Sequence, residues 1–230
     1  MTISEYRASS SAALTTDLAN FIENELTLAV VARGHASLVV SGGSTPRPLF
    51  EELARRPLPW NKITVTLADE RWVDISSKDS NEAMVRETLL CGAASEAMFI
   101  PLKNTAESAA EGWEMCHETI DAQFDCFDLV ILGMGEDGHT ASLFPGVSGS
   151  ALDSDCVALC AAINPPEAPH ERLSLTASAL LNSRKIVLHI VGDKKHQVYL
   201  DALKPGSADE FPIRVVLNQD RVPVDVYWSP

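Results

Sequence analysis

Short runs of Val, Ile and Leu recur along the chain and alternate with longer amphipathic segments. The apolar runs predict six β-strands, at residues 37–41, 63–68, 129–133, 156–161, 186–192 and 224–228. Helical spacing of apolar residues predicts α-helices at about 11–32, 46–56, 80–91, 105–124 and 193–204. Strands that are apolar along their whole length are typical of parallel sheets buried on both faces. The alternation therefore predicts an α/β fold, with a mostly parallel sheet sandwiched by helices.

The chain of 230 residues shows no boundary that would divide it. It contains no low-complexity run, no block of like charges and no linker rich in Gly and Ser. An internal repeat of fixed period, which would indicate a solenoid or a propeller, is not present either. We therefore expect one domain over residues 1–230.

The formal net charge is −14, and Lys and Arg are scattered singly or in pairs. Such a chain is a poor match to nucleic acid or to an anionic membrane surface, and no apolar stretch approaches the roughly 20 residues that span a bilayer. A small anionic substrate is compatible with this charge if local cations hold it. Five cysteines without a C-x-x-C pair indicate neither a disulfide framework nor a zinc site, so a reducing cytoplasm fits best.

The most informative motif is the glycine-rich segment 132–146, which follows a predicted strand and contains Asp137 and His139. Open α/β sheets bind ligands at the carboxyl ends of their strands, and glycines let the backbone come close to a ligand. A carboxylate two residues before an imidazole can orient that ring for acid–base work near neutral pH, so we predict that both residues are catalytic. The other histidines, such as His189 in an apolar strand, look structural or exposed. Two candidate ligands fall short of a metal site, so we expect no metal.

Gly133, Gly135 and Gly138 also match the spacing of the dinucleotide-binding fingerprint. That fingerprint needs a helix whose amino terminus is directed at a pyrophosphate, yet Pro145 and Gly146 would interrupt it within about two turns. No strand with a terminal acidic residue follows promptly. We therefore expect no nucleotide cofactor.

The segment Ser41–Pro46 closes the first predicted strand and opens a helix. Its free amides at Gly42 and Gly43, the hydroxyls of Ser44 and Thr45, and the positive end of the helix dipole would form a nest for a phosphate without any Lys. An ordinary turn, in which the hydroxyls cap the helix, is equally compatible with the sequence.

Three cations are candidates to hold an anionic substrate. Arg71 ends the second predicted strand, at the same sheet edge as the nest, and its guanidinium fits phosphate or carboxylate oxygens. Asp69 or Glu70 would fix its orientation. Lys195 lies at the start of a predicted helix, where a cation opposes the dipole unless an anion is supplied, and Arg172 precedes an apolar run. The alternative for each is a solvated surface position.

The chain resembles the 6-phosphogluconolactonase family in four segments, which are Ser41–Pro46, Asp69–Arg71, Ser80-Asn81 and Leu132–Pro145. Arg172 with the Leu-Ser-Leu-Thr run after it, and Lys195 three residues after Gly192, extend the resemblance over most of the chain. The resemblance implies a Rossmann-like fold shared with glucosamine-6-phosphate deaminases, ribose-5-phosphate isomerases and CoA transferases. It also implies hydrolysis of the δ-lactone of 6-phosphogluconate, in the pentose phosphate pathway, without a cofactor.

Two positions bear on this resemblance. Ser174 stands where that family usually has Thr, which is a minor departure. The related deaminases carry a Glu just before the proline of the corresponding turn and use it in sugar-ring opening. This chain has Phe144 before Pro145, so the sequence favours the lactonase over the deaminase.

The residues and the resemblance together suggest a mechanism as a hypothesis. Neutral His139 takes a proton from the water that attacks the lactone carbonyl, and Asp137 orients the imidazole. Arg71 or loop amides stabilise the charge on the carbonyl oxygen, and Arg71 is also a candidate for the phosphate. The substrate-binding residues are expected to be those of the nest, two further cations and an amide at the sugar hydroxyls: Gly42, Gly43, Ser44, Thr45, Arg172, Lys195 and Asn81.

Two alternatives stay open. A sugar-phosphate isomerase or deaminase would use Asp69 as a proton-abstracting base. A non-catalytic sugar-phosphate sensor would normally carry a DNA-binding segment, and this acidic chain shows none. The expected partner is therefore a small phosphorylated sugar lactone, with no nucleic acid and no membrane.

Overall fold

The computed structural model describes residues 3–166 and 168–230. The single-domain prediction also covers residues 1, 2 and 167, which lie outside the described residues. The strands, in chain order, are β1 (Ile3–Arg7), β2 (Ala36–Val40), β3 (Ile63–Leu67), β4 (Asp69–Arg71), β5 (Met98–Ile100), β6 (Leu129–Leu132), β7 (Cys160–Ile163), β8 (Arg172–Leu175), β9 (Ile186–Val191) and β10 (Val224–Ser229). The α-helices are α1 (Ser11–Arg33), α2 (Arg47–Leu53), α3 (Asn81–Thr88), α4 (Ala109–Gln123), α5 (Ala177–Leu181), α6 (Asp193–Ala202) and α7 (Arg214–Leu217).

Seven strands form one sheet in the order β1-β10-β9-β6-β2-β3-β5, and every neighbouring pair in it is parallel. The predicted α/β fold with a mostly parallel sheet is therefore confirmed. Every residue of β2, β6 and β10 is buried, as expected for interior strands of a parallel sheet that is covered on both faces. Helix α1 packs against this sheet through Leu18, Ile22 and Leu26, which are fully buried.

A second, antiparallel sheet has the order β4-β8-β7. Strand β4 starts two residues after β3 ends, and Leu175 donates a backbone hydrogen bond to Ala68 between them (2.8 Å). In the pairing of β4 with β8, Arg71 lies opposite Arg172. This small sheet therefore places two arginines beside the carboxyl end of the parallel sheet.

Most predicted elements are found within a few residues of their expected bounds. The strand predicted at 156–161 is wrong in place, because the structure has β7 at Cys160–Ile163 and in the antiparallel sheet. The pattern also misses β1, β4, β5 and β8, which are three to five residues long. All five predicted helices are present, and Ser10 and Ser108 cap α1 and α4 by accepting from backbone amides. None of the helices in the described ranges is long and apolar enough to cross a membrane.

Candidate active site

One cavity of about 230 Å³ opens at the carboxyl ends of β2, β6 and β9. Nine of the ten predicted site residues line it: Gly42, Gly43, Ser44, Thr45, Arg71, Asn81, His139, Arg172 and Lys195. The tenth, Asp137, contacts His139 from outside the lining. Folding thus brings together residues that six separate segments of the chain contribute, as a binding edge of an open α/β sheet requires.

The Asp137–His139 pair is held by a short, closed turn. His139 Nδ1 lies 2.6 Å from Asp137 Oδ1, and the His139 backbone amide donates to the same oxygen at 3.1 Å. The amide of Gly135 donates to the carbonyl of His139 (2.9 Å), and that of Gly138 donates to the carbonyl of Gly135 (3.1 Å). Gly138 has φ 78°, a left-handed conformation that favours glycine. The imidazole is therefore fixed at Nδ1, and Nε2 is the nitrogen left for a substrate.

Asp137 is suited to support a positive charge on this ring. Its partial burial alone would raise the pKa of the carboxyl, but the hydrogen bonds from His139 and the charge of that ring outweigh the burial. The pKa of Asp137 is therefore below its ordinary value, and the carboxylate is ionised at neutral pH. An ionised Asp137 favours the Nδ1–H tautomer of His139, which makes Nε2 the basic nitrogen.

Phe144 connects the imidazole to one of the arginines. The centroid of its ring lies 4.4 Å from the centroid of the His139 ring. The guanidinium carbon of Arg172 also contacts the Phe144 ring, at 5.1 Å from the centroid. The amide of Phe144 donates to Ser148 Oγ (2.7 Å), which fixes the backbone at this position. The residue that stands where the deaminases have a Glu therefore packs against the predicted base.

Arg71 and Arg172 present buried donors to the cavity. Arg71 Nη1 donates to the carbonyl of Asp79 (2.7 Å), but the Nε atoms of both arginines are buried without a partner among the described residues. Burial and the neighbouring charge of Arg71 lower the pKa of Arg172, against the opposing effect of Asp69. Two adjacent arginines, each with a buried Nε donor that has no partner among the described residues, form a strong site for an anion.

The expectation that Asp69 or Glu70 orients the Arg71 guanidinium is wrong. Glu70 Oε1 accepts from the backbone amides of Arg71 and Asn81 (both 2.7 Å), and Oε2 accepts from that of Glu82 (2.7 Å). Glu70 therefore caps the start of α3 and fixes the Arg71 backbone instead. Burial raises the pKa of Glu70 in spite of these hydrogen bonds. Asp69 accepts from Ser142 Oγ at 2.6 Å.

The nest, Ser41–Pro46, joins β2 to α2 at the edge of the cavity. The alternative in which its hydroxyls cap the helix is not what is observed, because α2 has no side-chain cap and Pro46 occupies the N-cap position. Gly43 has φ 98°, and a Cβ on Gly42 would overlap the side-chain amide of Asn81. Asn81 in turn donates to the carbonyl of Asp69 (2.8 Å), so it ties the nest to β4.

Of the titratable side chains that line the cavity, the sequence prediction misses one, His189 of β9. The apolar strand around it indicates a structural residue, but it lines the cavity together with Lys195 of α6. Burial and the charge of Lys195 lower the pKa of His189 to about 4. A lone polar residue in an apolar strand beside the motif-bearing strand β6 is the signal that points to it.

The turn after β6 does not have the structure of a dinucleotide site. Residues 133–148 form turns and bends without a helix, as the position of Pro145 predicts. The three glycines of the fingerprint therefore serve the Asp137–His139 turn and do not direct a helix at a pyrophosphate. In residues 3–166 and 168–230, no three His, Cys, Asp or Glu side chains are grouped so that they could hold a metal ion.

Residues 9–228 match the family described as Glucosamine-6-phosphate isomerases/6-phosphogluconolactonase. The 6-phosphogluconolactonase of Rhizobium meliloti (strain 1021) is 41% identical over 220 residues, which are 95% of each chain. The crystal structure of a 6-phosphogluconolactonase from Shewanella baltica OS155 is 46% identical, with a TM-score of 0.94 and coverage of 100% of this chain and 98% of that one. A monomeric glucosamine-6-phosphate deaminase shares the fold alone, with a TM-score of 0.79 at 18% identity over 98% of this chain and 97% of its own. The expected family is confirmed, and the chain belongs to the glucosamine-6-phosphate isomerase/6-phosphogluconolactonase family.

Proposed function

We propose that this protein is a 6-phosphogluconolactonase, which hydrolyses 6-phosphoglucono-δ-lactone to 6-phosphogluconate in the pentose phosphate pathway. The relatives that match nearly the whole chain at around 40% identity carry this name. At the site, the observation that carries the proposal is the Asp137–His139 pair at the same cavity as two arginines whose Nε atoms are buried. This combination supplies a base for water and a site for a phosphate in one place.

In the proposed reaction, Nε2 of neutral His139 takes a proton from the water that attacks the lactone carbonyl carbon. The Asp137 carboxylate, 2.6 Å from Nδ1, supports the imidazolium that forms. The bond between the carbonyl carbon and the ring oxygen then breaks, and His139 returns the proton to that oxygen. The products are a free hydroxyl and a carboxylic acid, which releases its remaining proton to solvent and becomes the carboxylate. A base of this kind contributes about 10²- to 10⁴-fold.

Negative charge grows on the carbonyl oxygen during the attack. Arg71, which lines the cavity and has a buried Nε without a partner in the described part of the chain, is one candidate donor, and the amides of the turn are the other. One such donor is typically worth on the order of 3 kcal/mol in the transition state. A donor that is already fixed, as Arg71 is by the carbonyl of Asp79, needs no reorganisation.

The phosphate of the substrate is assigned to the nest, Arg172 and Lys195. Two cations and the free amides of Gly42 and Gly43 offset the unfavourable overall charge of −14 at this point. Asn81 lies beside the nest and is proposed to contact a sugar hydroxyl. These contacts place the carbonyl carbon beside His139, which is how remote binding supports turnover.

We also propose the cytoplasm as the place of action. The five cysteines are free thiols in the structure, which suits a reducing compartment. The net charge of −14 disfavours nucleic acid as a partner.

The test is an assay of the purified protein with freshly made 6-phosphoglucono-δ-lactone and, separately, with glucono-δ-lactone. Acid release is followed at constant pH, and spontaneous hydrolysis is subtracted. We expect kcat/KM to be at least about 100-fold higher for the phosphorylated lactone, because two or more charge-assisted hydrogen bonds are lost without the phosphate. No acceleration, or equal acceleration of both lactones, would contradict the proposal. Ammonia release from glucosamine 6-phosphate would support a deaminase instead.

A further inference from the structure

His189 is a polar residue in the middle of a buried strand. Its neighbours in β9, Leu188 and Ile190, are fully buried, and its own side chain is only 4% exposed. The side chain lines the cavity, and its Nδ1 has no hydrogen-bond partner among the described residues. An apolar side chain would avoid the cost of burying this nitrogen, so packing alone does not account for a histidine here.

Polar atoms of this kind are concentrated at the cavity. Four buried side-chain nitrogen or oxygen atoms in the described chain lack a partner, and three of them belong to cavity residues, namely Arg71 Nε, Arg172 Nε and His189 Nδ1. The fourth, Ser229 Oγ, belongs to a residue outside the lining. Buried polar groups in folded proteins are normally satisfied, so this concentration indicates hydrogen bonding to the molecule that the cavity binds.

The ring of His189 is suited to hydrogen bonding and not to proton transfer. Burial and the charge of Lys195 lower its pKa to about 4, so the imidazole is neutral at pH 7 and carries one N–H donor. A base that titrates this low is poorly matched to acid–base catalysis near neutral pH. Because Lys195 is the charge that acts on the ring, the two side chains share one part of the cavity.

We propose that His189 donates a hydrogen bond to the phosphoryl group that Lys195 holds, and that it thereby favours phosphorylated over unphosphorylated lactones. This inference rests on the proposed function and adds a phosphate-binding residue to it. A hydrogen bond from a neutral donor to a buried anion corresponds to about ten- to a hundredfold in affinity.

The test compares His189→Leu with the wild-type protein on both lactones. His189→Leu should raise KM for 6-phosphoglucono-δ-lactone by about ten- to a hundredfold and change kcat by less than about threefold. Its kcat/KM for glucono-δ-lactone should stay within about twofold. His189→Gln, which keeps a neutral N–H donor, should recover part of the KM. If the role of His189 were purely structural, the substitution would not raise KM for the phosphorylated lactone alone. His189→Gln would then not recover that KM either.

His35→Leu is the matched control. His35 is exposed and directly precedes β2, at the opposite end of the strand from the nest, so the same substitution there should leave both substrates unaffected.

A second measurement does not depend on the stability of the Leu variant. The imidazole signals of His189 in the wild-type NMR spectrum, assigned by their loss in His189→Gln, should shift on addition of 6-phosphogluconate and not of gluconate. Unchanged KM in a folded His189→Leu protein, or signals that do not respond to 6-phosphogluconate, would overturn the inference and leave the proposed function standing. A wild-type protein inactive on the phosphorylated lactone would overturn both.

Discussion

Gly135→Ala should disable turnover while leaving the fold intact. A Cβ on Gly135 would lie closer than 3.0 Å to His139 Nδ1 and to Asp137 Oδ1, a separation that real Cβ atoms essentially never show. An ordinary contact is 3.4 to 4 Å, so the Asp137–His139 pair must move by about 1 Å. Gly135 is not among the glycines with positive φ, so the backbone accepts an alanine.

The size of the effect follows from that displacement. A misplacement of about 1 Å typically costs on the order of 100-fold in rate, which is about 2.7 kcal/mol of transition-state stabilisation. The side chains of His139 and Asp137 are 32% and 49% exposed, so they can relax toward solvent. We therefore expect the free energy of unfolding to change by less than about 1 kcal/mol. The assay is kcat on 6-phosphoglucono-δ-lactone at saturation, with urea unfolding alongside it.

Gly133→Ala is the matched control for Gly135→Ala, because it adds the same methyl group to the same glycine-rich turn. A Cβ on Gly133 meets no atom within 4 Å. Since Gly133 lines the cavity, any effect of its methyl on substrate entry appears in KM, and kcat should stay within about threefold. A folded Gly135→Ala protein with wild-type kcat would refute the reasoning, because the pair would then be dispensable in its observed geometry.

Three further predictions concern charge. Asp137→Asn should lower kcat by about tenfold, because a half-exposed neutral amide supports the imidazolium less well, and an unchanged kcat would count against the pair. Glu70→Gln should lower the free energy of unfolding by about 2 kcal/mol in urea, because an N–H would face the amide of Glu82, and wild-type stability would contradict this. The pKa of His189 is about 4 in the folded protein, against an ordinary value of 6.5. Between pH 4 and pH 6.5, the unfolded chain therefore binds a proton at this residue that the folded chain does not bind. Stability should therefore fall as pH decreases from 6.5 toward 4, by up to about 3 kcal/mol relative to His189→Leu, whereas parallel urea curves for the two proteins would rule this out.

The parallel sheet could be predicted because the amino-acid composition of each central strand indicates a buried strand. Strands β2, β6 and β9 are runs dominated by Val, Ile, Leu and Ala, with Ser37 and His189 as their polar residues, and burial on both faces favours that composition. The antiparallel sheet could not be predicted in the same way, since β4 consists of Asp69, Glu70 and Arg71, which read as a solvated cluster. Its pairing with β8 depends on contacts about 100 residues apart in sequence, which no local pattern encodes.

The site could be predicted where its residues lie close together in the sequence. Asp137 and His139 are two residues apart and meet within one turn, so the sequence nearly determines their contact. The partner of Glu70 was not predictable, because its carboxylate binds amides at the start of α3, eleven and twelve residues later. His189 was missed because its strand is otherwise apolar, and only the sheet order, which places β9 beside β6, shows that it lines the cavity.

The central claim is that His139 activates water in a cavity that binds a phosphorylated lactone independently of that residue. The most direct test is to measure kcat and the affinity for 6-phosphogluconate on His139→Ala together. We expect kcat to fall by about 10²- to 10⁴-fold while the Kd of 6-phosphogluconate stays within about threefold of the wild-type value. A His139→Ala protein that hydrolyses the lactone at the wild-type rate would contradict the account.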